Sequence, residues 1–465
     1  MSERKTPTVG WAIAGFILPI SIILYGTVGL KAPAILSLIT ASVMTCVLGR
    51  FWGYTWLELK QAMLESIVRV MPAIFLLVEI GMLISMWILS GTIPMTIYWG
   101  LTLLSPNLFL LAAFFLCILT STMTGTSFGT MGTMGIALLG IGQVLGYPLP
   151  FVVGAIVSGA YFGDKMSPIS SSTYITASIC EVELFTHIRS MLWTTLPAVI
   201  LTAGVYSLMG KGERVEVNTG VIYILEALRM QYTLSSWALV PPVLLLGLAY
   251  RRCSPILTLF FCILAAGGVA YFFEQQEFSV MIDVMVNGYV AKTGVQELDL
   301  LLTRGGIQSV LSTIFLLIAA VSFGGVLEKI RILAVLTDAM ILLAKTTGRL
   351  IVMTLFSSYA MLLGTGSQLV SIILPGRALL PVFQERGIAA RVLSRTLEDG
   401  GVLAAPLVPW SVHAFYIGGI LGVSAYEYAP YAILCWLVPV FSIVFGYTDI
   451  AIWQAVPYKN NKIEK

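Results

Sequence analysis

Charge is scarce along this chain. Of its 465 residues only 11% are Asp, Glu, Lys or Arg, 58% are hydrophobic, and the mean hydropathy is +0.93. Soluble domains carry about 25% charged residues, so a soluble globule is excluded and a polytopic membrane protein is indicated. The net charge of +3 is spread among segments. That leaves no basic stripe for nucleic acid. Six cysteines (Cys46, Cys117, Cys180, Cys253, Cys262, Cys435) lie in or beside apolar segments, none in a CxxC pair, which argues against a disulfide framework and a metal site. Only two histidines occur, and no nucleophile and base stand at usable spacing. An enzyme is therefore disfavoured, and no cofactor is expected beyond a transported sodium ion or proton.

What the chain has is apolar runs. They fall near 11–30, 33–49, 70–89, 106–123, 127–145, 150–162 and 191–208, then, after a polar break at 210–220, near 235–250, 254–273, 310–327, 332–345, 350–363, 367–383, 402–420 and 430–447. The first follows Arg4 and Lys5 without a small-residue cleavage site, so it is expected to stay as a helix. Several others fall short of the ~20 residues that a span needs, or carry Gly and Pro. The chain also repeats itself. "IFLL" stands at 74–77 and again at 314–317, 240 residues apart, and Gly-Thr at 125–126 and 364–365, 239 apart. "TWLELKQAMLESIVRVM" precedes the first copy and "FSVMIDVMVNGYVAK" the second.

Positive charge orients the two halves oppositely. Arg4, Lys5, Arg50, Lys60 and Arg69 put the N-terminus and the loop after the second run in the cytoplasm, whereas Arg251 and Arg252 follow the first run of the second half. The acid-rich segment 274–304 suits the exterior, and Lys459, Lys462 and Lys465 hold the C-terminus inside. The expected division is a first repeat at 1–210 with a broken-helix transport part at 106–208, a linker at 211–234, and a second repeat at 235–465 with its transport part at 350–450. Inverted repeats with interrupted helices mark secondary transporters.

The interruptions carry the polar residues. In "SGAYFGDKMSPISSSTYITASIC", Gly163 is expected to end one half-helix, Pro168 to stop its continuation, and the hydroxyls 170–173 to cap the next. The second half offers "SRTLEDGGVLAAPLVPWSVHAFYIGG", with Glu398, Asp399, Gly400 and Gly401 in the place of Gly163 and Asp164, and Pro406 and Pro409 in that of Pro168. Irregular backbone at membrane depth survives only where protein or a wet cavity surrounds it. Two such breaks facing each other would enclose one site.

"TGTSFGTMGTMGIALLGIG", "SGAYFGDKMSPIS", "SIILPGR", "LSRTLEDGG" and "PLVPW" resemble motifs of the NhaC family of bacterial sodium/proton antiporters, which includes malate/lactate exchangers. The likeness runs from about residue 70 to 450. It implies an all-α inner-membrane protein of two inverted repeats, a scaffold and a mobile transport domain, a homodimer, and elevator-type movement. The site departs from the family. Where members have Ser-Pro-Leu-Ser-Asp-Thr-Thr-Asn, this chain has Ser167, Pro168, Ile169, Ser170, Ser171, Ser172, Thr173 and Tyr174; where they have an acid before Gln, Ser367 precedes Gln368; and where they have Pro-Trp-Asn-Thr-Cys, it has Pro409, Trp410, Ser411, Val412 and His413. Sodium favours anionic hard oxygens, and these losses weaken the sodium site.

The candidate ion- or substrate-binding residues are Asp164, Ser167, Ser170, Ser171, Thr173, Tyr174, Ser367, Gln368, Asp399, Ser411 and His413. Proton coupling falls to Glu79, Asp164, Glu398 and Asp399. Glu79 sits mid-span, where an ionised group costs ~2.5–3.5 kcal/mol; a neutral, hydrogen-bonded Glu is its structural alternative. Asp164 could instead pair with Lys165, and Asp399 or Glu398 with Arg395. His413 could relay protons or contact an organic solute, or be packed in the core. His187, beside acids and Arg189, suits a loop or interface, and Tyr174 could stack on a solute or simply pack at the interface. The leading expectation is a proton-exchanging antiporter for a small cation or solute. The alternatives are an organic-solute carrier that uses Tyr174, Ser171, Ser367 and His413, and a channel.

Overall fold

Glycine and small residues decide where the helices of this protein touch. The computed structural model describes residues 7–103, 105–212, 220–233, 235–251 and 253–454. Arg4, Lys5, Arg252, the linker residues 213–219, Lys459, Lys462 and Lys465 lie outside that range, so the expectations resting on them have no structural counterpart. The described chain is helical apart from its turns and two isolated bridges. Among the described residues, eight helices are long and apolar enough to cross a membrane, and ten if each of two bent pairs counts as one span.

The longest helix, Trp56–Leu89, starts at a capping box: Thr55 Oγ1 accepts from the amide of Glu58, whose carboxylate accepts from the amide of Thr55. It runs antiparallel to Ile307–Lys329. Near one end the amide of Gly306 donates to the carbonyl of Gly81 (2.7 Å), and near the other Ser66 sits against Gly325 and Arg69 pairs with Glu328 (2.8 Å). A Cβ on Gly325 would lie 2.1 Å from Ser66 Oγ, so this approach needs glycine. The two "IFLL" copies sit on this antiparallel pair. The stretches preceding them differ. The first continues without interruption into its helix, whereas the second forms a separate helix, Phe278–Asn287, ended by Gly288 at φ 92°. Gly305 and Gly306, also at positive φ, then turn the chain into the span.

Two helical hairpins follow the same plan. Phe109–Thr124 ends in Gly125 (φ 67°), after which Thr126 caps Ser127–Thr130; Thr347–Thr365 ends in Gly366 (φ 64°), after which Ser367 caps Gln368–Glu385. Gly125 therefore corresponds to Gly366. The expected match to Gly364 is two residues off, because Gly364 lies inside its helix.

The first broken helix is Leu149–Met166 followed by Ser171–Ile179. Contrary to expectation, Gly163 does not end it: a Cβ there would lie 2.1 Å from Ser121 Oγ, and the residue serves close packing on Phe109–Thr124. The second runs from Ala390–Leu397 through a wide π-type turn at Glu398–Val402 and the 3-10 turn Ala405–Leu407, and then bends by 43° into Val412–Leu421. The helical path runs through Glu398, Asp399, Gly400 and Gly401, and Pro406 and Pro409 mark the break. The interruption falls at 408–411, where Pro409 cannot donate to a helix.

Candidate functional site

The hairpin tips and both broken helices meet at a cavity of about 670 Å³ whose lining includes Thr126, Ser127, Asp164, Ser171, Gln368 and His413. Its far wall is apolar, with Val70, Pro72, Ala73 and Leu76 of Trp56–Leu89. Arg69 stands on the same lining, already held by Glu328.

Asp164 is the acid of this cavity. Ser127 donates to its Oδ2 and Ser170 to its Oδ1, each at 2.8 Å. The hydroxyl run therefore divides its work. Ser170 serves the carboxylate instead of capping Ser171–Ile179. Ser172 donates to the carbonyl of Asp164 (3.1 Å) and Thr173 to that of Lys165 (2.9 Å), satisfying carbonyls that the end of a helix leaves open. Ser171 alone of the four turns its side to the cavity without a hydrogen bond in the described structure. Ser167 donates to the carbonyl of Thr122 (2.8 Å) and holds the break to the first hairpin. In the second half Ser367 and Ser411 are N-caps, accepting from the amides of Val370 and Ala414. Gln368 is 7% exposed, and its Nε2 has no partner among the described residues. His413 Nδ1 meets the hydroxyl of Tyr161 at 2.5 Å, and its ring lies 4.6 Å from that of Phe128.

Behind Asp164 lies a second, fully buried layer. Lys165 Nζ sits 2.6 Å from Asp399 Oδ1 and 2.6 Å from Thr195 Oγ1, and Thr194 donates to the same Asp399 oxygen at 3.3 Å. Glu398 accepts from Thr176 at 2.7 Å; His187 Nε2 stands 4.0 Å from Glu398, with Nδ1 2.8 Å from Ser394 Oγ.

These contacts correct three expectations. Lys165 neutralises Asp399 and leaves Asp164 free, because at the end of its helix it turns inward while Asp164 turns to the cavity. Arg395 does not pair with Asp399: its guanidinium donates to the carbonyl of Ala451 (3.1 Å) and lies 5.7 Å from the Trp453 ring. His187 is completely buried in the cluster rather than in a loop or interface. A fourth correction concerns Tyr174, which is 64% exposed and outside the cavity, since Ser172, Thr173 and Thr176 take the inward face of that helix. Glu79 is buried in Trp56–Leu89, does not line the cavity, and has an Oε2 without partner among the described residues. Sequence reasoning did not pick out Ser127, Thr176, Thr194, Thr195 or Ser394 as site residues. Hydroxyls in apolar spans, as in "SMLWTT", were the available signal.

Helical hairpins and broken helices closing on one cavity with a buried carboxylate define a secondary transporter. The chain belongs to the Na+/H+ antiporter family, whose profile matches residues 159–450. It is 34% identical to the Na(+)/H(+) antiporter NhaC of Alkalihalophilus pseudofirmus, over 99% of this chain and 100% of that one. It is likewise 34% identical to the malate-2H(+)/Na(+)-lactate antiporter of Bacillus subtilis, over 100% and 99%. With the arginine/ornithine antiporter ArcD of Halobacterium salinarum it shares 32%, over 98% and 95%. The protein is an antiporter of the NhaC type, a class of transporters and not of enzymes.

Proposed function

We propose that this antiporter exchanges protons for a small cation or a small organic solute, and that the proton and the solute compete for Asp164. One observation carries the reading. Of the three acids near the breaks, Asp399 is neutralised by Lys165 and Glu398 is sealed away from the cavity, so only Asp164 meets incoming ligands. Sodium is at most a weak ligand, because one carboxylate, each of whose oxygens already accepts a hydroxyl, offers little anionic charge. Binding of either proton or solute to one state of the site, and not of both together, yields exchange.

Proteoliposomes with an internal pH dye test this directly. An imposed pH gradient alone should drive solute flux, and external solute should drive proton movement. A steep, saturable sodium requirement, with no flux on a pH gradient, would refute the reading.

In the same reading the protein lies in the bacterial inner membrane as a homodimer with both termini in the cytoplasm. Its transport parts 106–208 and 350–450 slide as one body against the remaining helices. The cavity, walled by Trp56–Leu89 on one side and the hairpin tips on the other, supports such a sliding boundary. The cavity is then open to the cytoplasm, beside Arg69 and the cysteine that follows the basic pair at 251–252. Cys253 is exposed and lines the cavity, while the other five cysteines are buried. A membrane-impermeant maleimide should therefore label Cys253 in inside-out vesicles and not in right-side-out cells. The opposite pattern would invert the orientation.

A further inference from the structure

The cavity carries one sign of uncompensated charge. Asp164 is the one Asp or Glu on its described lining, and the one Lys or Arg there, Arg69, is already paired with Glu328. The two oxygens of a carboxylate offer about four acceptor positions. At Asp164, Ser127 and Ser170 take two of them and the Gln368 side chain stands against the carboxylate as well, which leaves room for an incoming N–H donor. Phe128 lines the same cavity. Its ring is stacked on Tyr416 at 4.0 Å, and the Tyr416 hydroxyl donates to its carbonyl (2.7 Å), so the ring is fixed in place. An aromatic ring within about 6 Å attracts a cation through its negative face. Most of the remaining wall is apolar, with Val70, Ala73, Leu76, Leu369 and Ile373.

We propose that the cavity takes an organic monocation, a protonated monoamine with an apolar body, its ammonium donating to Asp164 and lying against the Phe128 ring. The inference rests on the antiport reading above and narrows its substrate. A carboxylate, whether on a dicarboxylate or on an amino acid, meets no free cation on the described lining. A diamine would set its second cation against the apolar wall with no second acid there. A bare metal ion needs a shell of several oxygens at once, whereas an ammonium is satisfied by few acceptors and its body gains from apolar neighbours. The volume of about 670 Å³ suits a small organic molecule and exceeds what a bare cation requires. A monoamine and a proton bring the same charge to the same carboxylate. Taking up one therefore releases the other.

The test varies the charge on one molecular frame. Binding to the purified full-length protein is measured by calorimetry for phenethylamine, for 2-phenylethanol, which lacks the charge, and for L-phenylalanine, which adds a carboxylate. Phenethylamine should bind at least about tenfold more tightly than either, the usual loss for one charge-assisted hydrogen bond. Phe128→Leu keeps an apolar side chain and removes the ring, and should weaken phenethylamine roughly two- to thirtyfold. Tyr174→Ala, outside the cavity, should change nothing. Absence of phenethylamine binding, equal binding of 2-phenylethanol or L-phenylalanine, or tighter binding of cadaverine or malate overturns the proposal; so does undiminished phenethylamine binding in Asp164→Asn. The ligand series needs no variant, so the proposal stays open to refutation even where a substitution impairs folding. The two readings also fail separately. Proton-linked flux without phenethylamine binding sinks the substrate assignment and leaves antiport standing; phenethylamine binding without pH-driven exchange above that of empty liposomes supports the assignment and sinks antiport.

Discussion

Asp164→Asn should reduce pH-gradient-driven exchange to the level of empty liposomes while the protein remains folded. The substitution keeps the shape of the side chain: its one oxygen still accepts from one of Ser127 and Ser170, its NH2 donates to the hydroxyl oxygen of the other, and the charge and the titration are removed. A ligand cation held by a charge-assisted bond at this oxygen would lose about 1.5–3 kcal/mol, roughly ten- to a hundredfold in affinity. Coupling would be lost entirely, since an amide neither binds nor releases a proton. Ser171→Asp, at the hydroxyl left open on the cavity, adds a second anion beside the first and should raise the sodium dependence of transport. Glu79→Gln supplies the discriminating arm, because Glu79 is a carboxyl buried within the long helix that does not line the cavity. Persistence of wild-type pH dependence in Asp164→Asn, with its loss in Glu79→Gln, would move the coupling proton to Glu79.

Much of this arrangement was legible before any coordinates. The scarcity of charge fixes the class, and the glycine at 125, the proline and hydroxyls at 167–170 and the prolines at 406 and 409 lie where a hairpin turns or helices break, because those residue types end helices. What the sequence did not disclose is the rotation of each helix about its axis. Asp164 and Lys165 are neighbours in the chain, yet about 100° of helical turn sends one to the cavity and the other to Asp399. The same cause misled the assignment of His187, whose charged neighbours suggested an interface, and of Tyr174, which lies one residue from an inward-facing threonine. Serine and threonine were ambiguous for a different reason. A hydroxyl in a broken helix can serve a ligand or a freed carbonyl, and only placement shows that Ser172, Thr173 and Ser167 do the latter.

Lys165 carries the largest expected effect on stability. Its ammonium and the Asp399 carboxylate are both wholly buried, 2.6 Å apart, and Thr195 and Thr194 each add a hydrogen bond, while Asp399 Oδ2 has no partner among the described residues. Each charge is tolerable there only because the other is present. Lys165→Met alone strands Asp399 as an uncompensated buried anion beside Glu398 and should cost about 3–5 kcal/mol, seen as loss of monodisperse protein in detergent. Replacing both members, Lys165→Met with Asp399→Leu, removes the stranded charge together with its partner and should restore much of the folded yield, since well-packed apolar pairs often match buried ion pairs in stability. Exchange in the double variant then separates two roles. If the pair only neutralises charge behind the site, the double variant should still bind solute at Asp164 and respond to an imposed pH gradient. If Asp399 shares the transported proton, the double variant will fold and bind yet fail to couple. A single Lys165→Met variant as stable as the unmodified protein would show that the ammonium is not what keeps Asp399 in the core.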